Sequence, residues 1–525
     1  MLNRTWREKT WRDIDQPWDI IVIGGGITGA GIFNMAAQKG LSVLLVEARD
    51  FAFGTSSRSS KLIHGGIRYL RNRQFDVVRK SVKEREYLVR DSDMLVDPMA
   101  FIFPSYETQS HETKMMEIGV VLYDLIGRKW QHKTLNPHQV RLALPGINDE
   151  NLSGGVQYKD ARVDDSQLVL RVIMDGVRFG GSAINYAKVV GFLKQKNGRV
   201  EGVLLEDLSG TIQPSQVTLK SRVVINATGP WSDELRKSIG GKPRLRRLRG
   251  SHLVFSQDKL PLNAAVTLLH PGDNRATFAI PWENRTIVGT TDLDHDLEED
   301  ETRITRSELE YILDATQHVF PKCSIGEEDI LSTFSGLRPV INTNAPSPSL
   351  ESRAHQIWEE DGLVSIAGGK LTIFRVMAAD VLNFCGEMFP GRMKFSPNTP
   401  CFIHPNLQYV QNINKHDWLL MAGRLGQDVN AFFEESDPEL LKPITPLPEF
   451  WAELAWAAKN EAVVHLDDLL LRRVRIGLLM PSGGKNLLEH IRELVQVPLG
   501  WSNETWASEV SRYNDLWRRN YYLPS

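Results

Sequence analysis

His252, Arg338 and Lys370 stand in settings where their side chains can do chemistry. His252 follows Arg249-Gly-Ser251 and opens a β-rich run. An imidazole there can act as a general base near neutral pH, or can simply be a hydrogen-bonded packing residue. Arg338 lies in Ser335-Gly-Leu-Arg-Pro339, before a proline that holds it extended. Alone, it reads equally as an anion ligand or as a surface ion-pair residue. Lys370 sits between the Gly368-Gly369 turn and a helix start. Helix-terminal amides plus an ammonium suit developing negative charge.

A fourth stretch, Gly54-Thr-Ser-Ser-Arg-Ser-Ser-Lys-Leu-Ile-His-Gly-Gly-Ile-Arg-Tyr69, is dense in hydrogen-bond donors and too polar for a core element. A cofactor phosphate or a substrate anion explains that density, and a solvated loop is the alternative. Arg68 and Tyr69, beside Gly65-Gly66, are the choices for anion contact, because arginine offers a planar fork. His64 and His355 also occupy informative contexts. The basic run Arg244-Leu-Arg-Arg-Leu-Arg249 suits anionic lipid, a substrate phosphate or a plain exposed face.

The element that must position these groups begins at residue 19. Ile20 to Ile23 is a β-branched run suited to a buried parallel strand. Gly24, Gly26 and Gly29 follow as GxGxxG, then a helical stretch, then the apolar strand Ser42–Val46 ending in Glu47. In this unit the first glycine makes the tight turn, the second admits a pyrophosphate and the third lets helix pack on strand. The terminal acid binds ribose hydroxyls. The chain therefore binds a dinucleotide.

Two later strands end in glycine turns, Arg222–Trp231 and Leu363–Thr372, and all three strand ends are expected side by side in one sheet. Residues 251–292 read as an antiparallel, substrate-facing layer. Phe75 to Val96 reads as a polar helix. Beyond Pro400, Trp451 to Val464 and Leu466 to Leu479 carry helical spacing with Arg472, Arg473 and Arg475 interspersed, after a Pro443–Pro448 linker.

Bulk properties narrow the class. The 525 residues suffice for two or three domains. A net charge of −3 argues against nucleic-acid binding, which needs a strongly basic face. Cys323, Cys385 and Cys401 are scattered and form no CxxC, so no metal site or redox disulfide is expected, and a reducing compartment fits. The charged stretch Met1 to Trp18 lacks a signal-peptide core, and no apolar run approaches the roughly 18 residues of a spanning helix.

With these motifs assembled, the chain closely resembles the FAD-dependent glycerol-3-phosphate dehydrogenases of the bacterial respiratory type. The resemblance runs over most of residues 17–385. It rests on GGGITGAG, TSSRSSKLIHGGIRYL (55–70), YKDARVDDSQLVL (158–170), NATGPW (226–231), GSHLV (250–254), IPWENRTIVGTTD (280–292), SGLRPV (335–340) and AGGKLTIFR (367–375). It implies an α/β fold: an FAD-binding Rossmann-like domain of the glutathione-reductase/D-amino-acid-oxidase type, an antiparallel β-sheet substrate domain and a C-terminal α-helical domain. The expected bounds are 15–75 with 155–235 and 355–390, then 76–154 with 236–354, then 395–525.

The resemblance further implies oxidation of sn-glycerol 3-phosphate to dihydroxyacetone phosphate, by hydride transfer from C2 to N5 of FAD, with electrons passing to a membrane quinone. Carried over by motif, Gly24, Gly26, Gly29, Glu47, Thr55, Ser56, Lys61, His64, Gly229 and Gly369 to Thr372, including Lys370 and Leu371, serve the cofactor. Arg68, Tyr69, Arg338, Arg353 and Lys370 grip the substrate. His252 is the candidate base, Arg338 steadies the developing oxyanion, and Lys370 completes the catalytic set.

Peripheral attachment to the inner face of the cell membrane, from the cytoplasm, is the expected location, and the resemblance leaves room for a homodimer. Many relatives read Gly-Gly-Lys-Leu-Thr-Thr-Tyr-Arg where this chain has Ile373 and Phe374, so two hydroxyls near the expected site are missing. Three alternatives remain at this stage: a glycerol-3-phosphate oxidase using oxygen, a flavin amine or amino-acid oxidase, and a redox-silent FAD-binding module whose C-terminal arginines meet a partner.

Overall fold

The computed structural model describes residues 1–524 except 68–73, 108–109, 128–129, 296–301, 349–350, 390, 392 and 407–412. The strand Trp18–Ile23 is buried nearly throughout, as a β-branched strand covered on both faces must be. It pairs in parallel with Val43–Val46 on one side and Gln216–Asn226 on the other, and Leu363–Gly368 adds in parallel beyond. The three glycine-turn strand ends thus lie adjacent. Ser182–Ile184 extends one edge in parallel, and His355–Glu360 closes the other antiparallel. The hairpin Ala187–Lys194 with Val200–Asp207 pairs onto the start of Gln216–Asn226.

Helices Ile27–Gln38, Asp165–Arg178 and Phe374–Phe384 pack together on this sheet. A Cβ at Gly31 would lie 2.8 Å from the Phe374 ring, so glycine is what permits the helices to approach there. The two positions without hydroxyls belong to this packing. Ile373 and Phe374 are buried in the apolar core, where a hydroxyl would need a partner.

The second sheet carries the antiparallel layer expected at 251–292. Leu245–Ser256, Arg285–Gly289, Ala276–Trp282 and Ala265–Leu269 pair in that order, and Ile330–Ile341 flanks Leu245–Ser256. Ala265–Leu269 then meets Val96–Tyr106 in parallel, and Leu152–Val163 and Leu62–Ile63 continue the sheet. The expected bound between residues 154 and 155 therefore falls inside a strand of this second sheet. Leu62–Ile63, placed by sequence with the nucleotide unit, also pairs here. These pairings join segments about 50 to 170 residues apart, which local patterning does not register.

The C-terminal helices pack through Leu454, Leu469, Ile491 and Trp517 against Val254, Trp282, Ile287 and Phe334 of the second sheet. The helix read at 451–464 runs Trp451–Asn460, and the one read at 75–96 runs Phe75–Asp91. The stretch 466–479 is not continuous. It divides into Leu466–Asp468, a π-helical turn Leu469–Arg473 and Ile476–Leu479. Among the described residues, no helix is long and apolar enough to cross a membrane.

Candidate active site

A cavity of about 620 Å³ opens at the carboxyl ends of the parallel strands and runs to the face of the second sheet. One end is lined by Glu47, Arg49 and Lys188, the middle by Gly24, Gly26 and Thr28, and the far end by His252, Arg338, Arg353 and Lys370.

The glycine turn has the shape its sequence requires. Gly24 has φ +113°, and a Cβ there would lie 2.7 Å from the Ala227 carbonyl oxygen. A Cβ on Gly29 would stand 1.9 Å from Gly24 O, so this third glycine lets the helix start seat on the turn. The Ser56 hydroxyl accepts the Ile27 amide at 3.0 Å, capping the helix from the adjacent loop. Thr55 Oγ1 donates to Leu337 O at 2.5 Å, which ties that loop to the second sheet. Glu47 accepts the amides of Gly25 (2.7 Å) and Arg49 (2.8 Å). Burial raises its pKa, and those two amides oppose the rise. With two acceptor oxygens, it keeps lone pairs to spare for a ribose. Gly229, with φ +59°, lines the same wall.

This cradle fits a dinucleotide. Its backbone passes where Cβ atoms would obstruct, a helix N-terminus faces the middle, and an acid stands at the end of the second strand.

At the far end, Gly368 and Gly369 adopt φ +84° and +76°, turning the chain so that Lys370, Leu371 and Thr372 line the cavity. Lys370 Nζ lies 3.5 Å from Gly65 O. Thr372 Oγ1 bridges the amide and carbonyl of His64, both at 3.3 Å.

Arg338 projects from Ile330–Ile341 opposite Leu248. Its Nη1 donates to Thr291 O and Asp292 Oδ1 at 3.0 Å each, and its Nη2 to Thr290 Oγ1 at 2.9 Å. The second oxygen of Asp292 accepts from Arg353 Nη2 at 3.1 Å and lies 3.8 Å from Arg275 Nη2. One buried carboxylate thus gathers three guanidiniums and leaves the group net positive.

His252 is buried beside them. Its ring stacks on Phe334 with centroids 4.4 Å apart, and Nε2 is 2.8 Å from Ser60 Oγ. Burial, then the charges of Arg338 and Lys61, push its pKa well below the ordinary imidazole range. The ring is therefore neutral near pH 7 and has a lone pair to offer.

The structure brings Gly24, Gly26, Glu47, Thr55, Ser56, His64, Gly229, His252, Arg338, Arg353 and Gly369 to Thr372 to one cavity. Lys61 requires correction. Its ammonium points away from the cavity into a buried pair with Asp165 (2.8 and 2.9 Å) and donates to Ser57 O at 2.6 Å. Burial lowers its pKa to about 8. The cofactor role came only from the motif's resemblance, and the carboxylate that decides the side chain's direction lies 104 residues away. Arg68 and Tyr69 lie outside the described residues.

Among the described residues the run 244–249 forms no continuous basic face, since Arg246, Arg247 and Arg249 pair with Asp294, Glu234 and Glu308, while Arg244 stays half-exposed 3.8 Å from Glu360. Sequence reasoning missed Ser60, Arg275, Thr290, Thr291 and Asp292. The last three occur together as Thr-Thr-Asp at a strand end, a hydroxyl-rich turn closed by an acid, and that was the available signal.

Comparison with known proteins agrees with this geometry. Residues 19–372 match the family described as FAD dependent oxidoreductase, and residues 401–506 match the C-terminal domain of alpha-glycerophosphate oxidase. The chain is 32% identical to an aerobic glycerol-3-phosphate dehydrogenase of Staphylococcus saprophyticus, over 96% of each chain. It is 33% identical to that of Staphylococcus aureus, over 87% of this chain and 86% of the relative. The structure of a Bacillus halodurans glycerol-3-phosphate dehydrogenase complexed with FAD superposes with a TM-score of 0.78 at 26% identity, covering 99% of this chain and 98% of that one. An L-alpha-glycerophosphate oxidase of Mycoplasma pneumoniae (TM-score 0.58, 18% identity, 75% of this chain and 100% of that one) shares the fold.

Proposed function

The chain belongs to the FAD-dependent glycerol-3-phosphate dehydrogenase family, and from that premise we propose that it oxidises sn-glycerol 3-phosphate to dihydroxyacetone phosphate. The observation that carries this substrate is the set of Arg338, Arg353 and Arg275 on the single carboxylate of Asp292, with Lys370 across the cavity. A phosphate dianion matches that charge. An amino acid presents a single carboxylate and places an amine beside it, which a cluster of guanidiniums repels.

FAD, when bound, supplies the hydride acceptor. The chain's residues do the rest. Arg353 and Lys370 hold the phosphate, which fixes the substrate's C2, and Arg275 adds positive charge from behind Asp292. Arg338, its plane set by Thr291 O, Thr290 Oγ1 and Asp292, donates to the C2 oxygen as negative charge grows there. Neutral His252 takes the C2 hydroxyl proton at Nε2 by way of Ser60, whose Oγ lines the cavity 2.8 Å from that nitrogen and accepts from the substrate as it donates to the ring. The matching experiment is turnover with an artificial acceptor. Activity on sn-glycerol 3-phosphate with none on glycerol or amino acids supports the reading, and preference for an amino acid overturns it.

A membrane quinone is the acceptor this reading favours, with the protein lying on the bilayer surface. Ile118 and Leu125, seven residues apart on helix Ser110–Gly127, are 63% and 61% exposed, and Trp130 just beyond is 67% exposed. Two exposed apolar side chains on one helix face, with an exposed tryptophan shortly after in sequence, suit the interfacial region of a bilayer. Flotation with liposomes tests this: the protein rises with the vesicles, and Ile118→Glu with Leu125→Glu stays below. Oxygen uptake with peroxide release at the rate of substrate oxidation would instead assign the oxidase reaction.

A further inference from the structure

The C-terminal region reaches into the cofactor half of the molecule through three arginines that nothing in the reaction uses. Arg472, Arg473 and Arg475 are each 2% exposed or less. Arg473 makes a bidentate pair with Asp50, Nη1 and Nη2 to the two carboxylate oxygens at 2.7 and 2.8 Å, and Arg472 Nε reaches the same group at 2.5 Å. Arg475 makes a second bidentate pair with Asp164, at 3.0 and 2.7 Å, and also bonds Asp165 at 2.6 Å. The π-helical turn Leu469–Arg473 lets neighbouring arginines face one way, which a regular helix would not. Ser166 Oγ and Gln167 Nε2 return bonds to the carbonyls of Arg472 and Arg473, both at 2.7 Å.

The carboxylates so held govern two loops of the cavity wall. Asp50 lies three residues after Glu47, in a loop whose Ala52 amide bonds Gly25 O at 3.0 Å and whose Phe53 lines the cavity. Asp165 accepts the Ser59 amide at 3.0 Å and the Ser59 hydroxyl at 2.7 Å. The next residue, Ser60, lines the cavity and bonds His252. No residue of 466–475 lines the cavity itself.

We propose that docking of the C-terminal helical region and binding of FAD are thermodynamically coupled through Asp50 and Asp165, with Arg473 and Arg475 as positioning residues for the two cofactor loops. The inference rests on the reading that this cavity holds FAD, and it is independent of which substrate is oxidised. Coupling of this kind is reciprocal: if the arginines help hold FAD, FAD must steady the arginines.

The test reads FAD alone, without substrate, on the full-length chain. Hydrogen exchange of the wild type, freed of FAD and then reloaded, is expected to slow over residues 466–475 on loading. Arg473→Lys and Arg475→Lys keep the charge but lose the fork. Each is expected to raise the FAD dissociation constant tenfold or more. Arg424→Lys supplies the control, since Arg424 is a buried arginine of the same region that pairs with Glu453 and Glu283. It is expected to lower thermal stability with FAD affinity unchanged.

Exchange over 466–475 that ignores FAD would overturn the proposal, as would a folded Arg473→Lys that binds FAD like the wild type. An equal loss of FAD affinity in Arg424→Lys would also overturn it. If the lysine variants do not fold, the wild-type exchange comparison decides. Failure to bind FAD in any form would instead remove the cofactor reading.

Discussion

Replacing Asp292 with asparagine isolates the group that aims the arginines. The carboxylate is buried and holds Arg338 at 3.0 Å and Arg353 at 3.1 Å, one on each oxygen. Asparagine keeps the shape, loses the charge and turns an NH₂ toward one of the guanidiniums. Hydrogen bonds to charged groups are worth about 1.5–3 kcal/mol. If one such bond's worth of orientation is lost to the substrate, kcat/KM falls by roughly 10–150-fold, at about 1.4 kcal/mol per decade.

Inorganic phosphate, as a competitive inhibitor, reports the anion subsite separately from the chemistry. Its inhibition constant is expected to rise in Asp292→Asn, with Asp292→Glu recovering part of the loss. The opposite result has a clear meaning. If Asp292 only neutralises the arginines, removing its charge strengthens the positive field, and phosphate binds more tightly. A lower inhibition constant together with a lower KM would therefore refute the aiming role.

Three further perturbations follow from the same geometry. Arg338→Lys keeps a cation without the fork, and is expected to lower kcat by about 10²–10³-fold, as for loss of a preorganised donor, with FAD still bound by absorbance. His252 is held neutral, so the wild-type kcat/KM is expected to be level near neutral pH and to fall only below the ordinary imidazole range, with His252→Gln abolishing most activity. Its depressed pKa also means the unfolded chain binds the proton first. Stability is therefore lost as pH drops below about 6.5, and chemical denaturation at pH 5 and 7 is expected to show a smaller acid loss in His252→Gln. Gly24→Ala sets a Cβ 2.7 Å from Ala227 O at φ +113°, and is expected to purify with little FAD, measured as the ratio of flavin to protein absorbance.

The nucleotide unit was legible because its constraints are local. A β-branched run, glycines at fixed spacing and a terminal acid specify strand, turn and helix without distant partners, and Gly24 and Gly29 meet the close contacts their spacing implied. His252, Arg338 and Lys370 were legible as types in glycine-bearing contexts, and the sheets bring them together. Asp292 was not, because an acid's role depends on which arginines the strand pairing delivers, here from Ile330–Ile341 and the segment before His355.

The arginines of 466–475 misled for the same reason. Charged residues at helical spacing normally face solvent. Here a π-helical turn and carboxylates more than 300 residues away draw them inward, so they offer no face to a partner. Lys61 repeats the lesson over a shorter distance.

Oxidation of sn-glycerol 3-phosphate on bound FAD is read out by the absorbance of the purified protein, kept free of oxygen, before and after adding that substrate. A flavin band at roughly 450 nm is expected to bleach on addition, which joins cofactor, substrate and half-reaction in one observation. A flavin band that persists with this substrate and bleaches with an amino acid would contradict it.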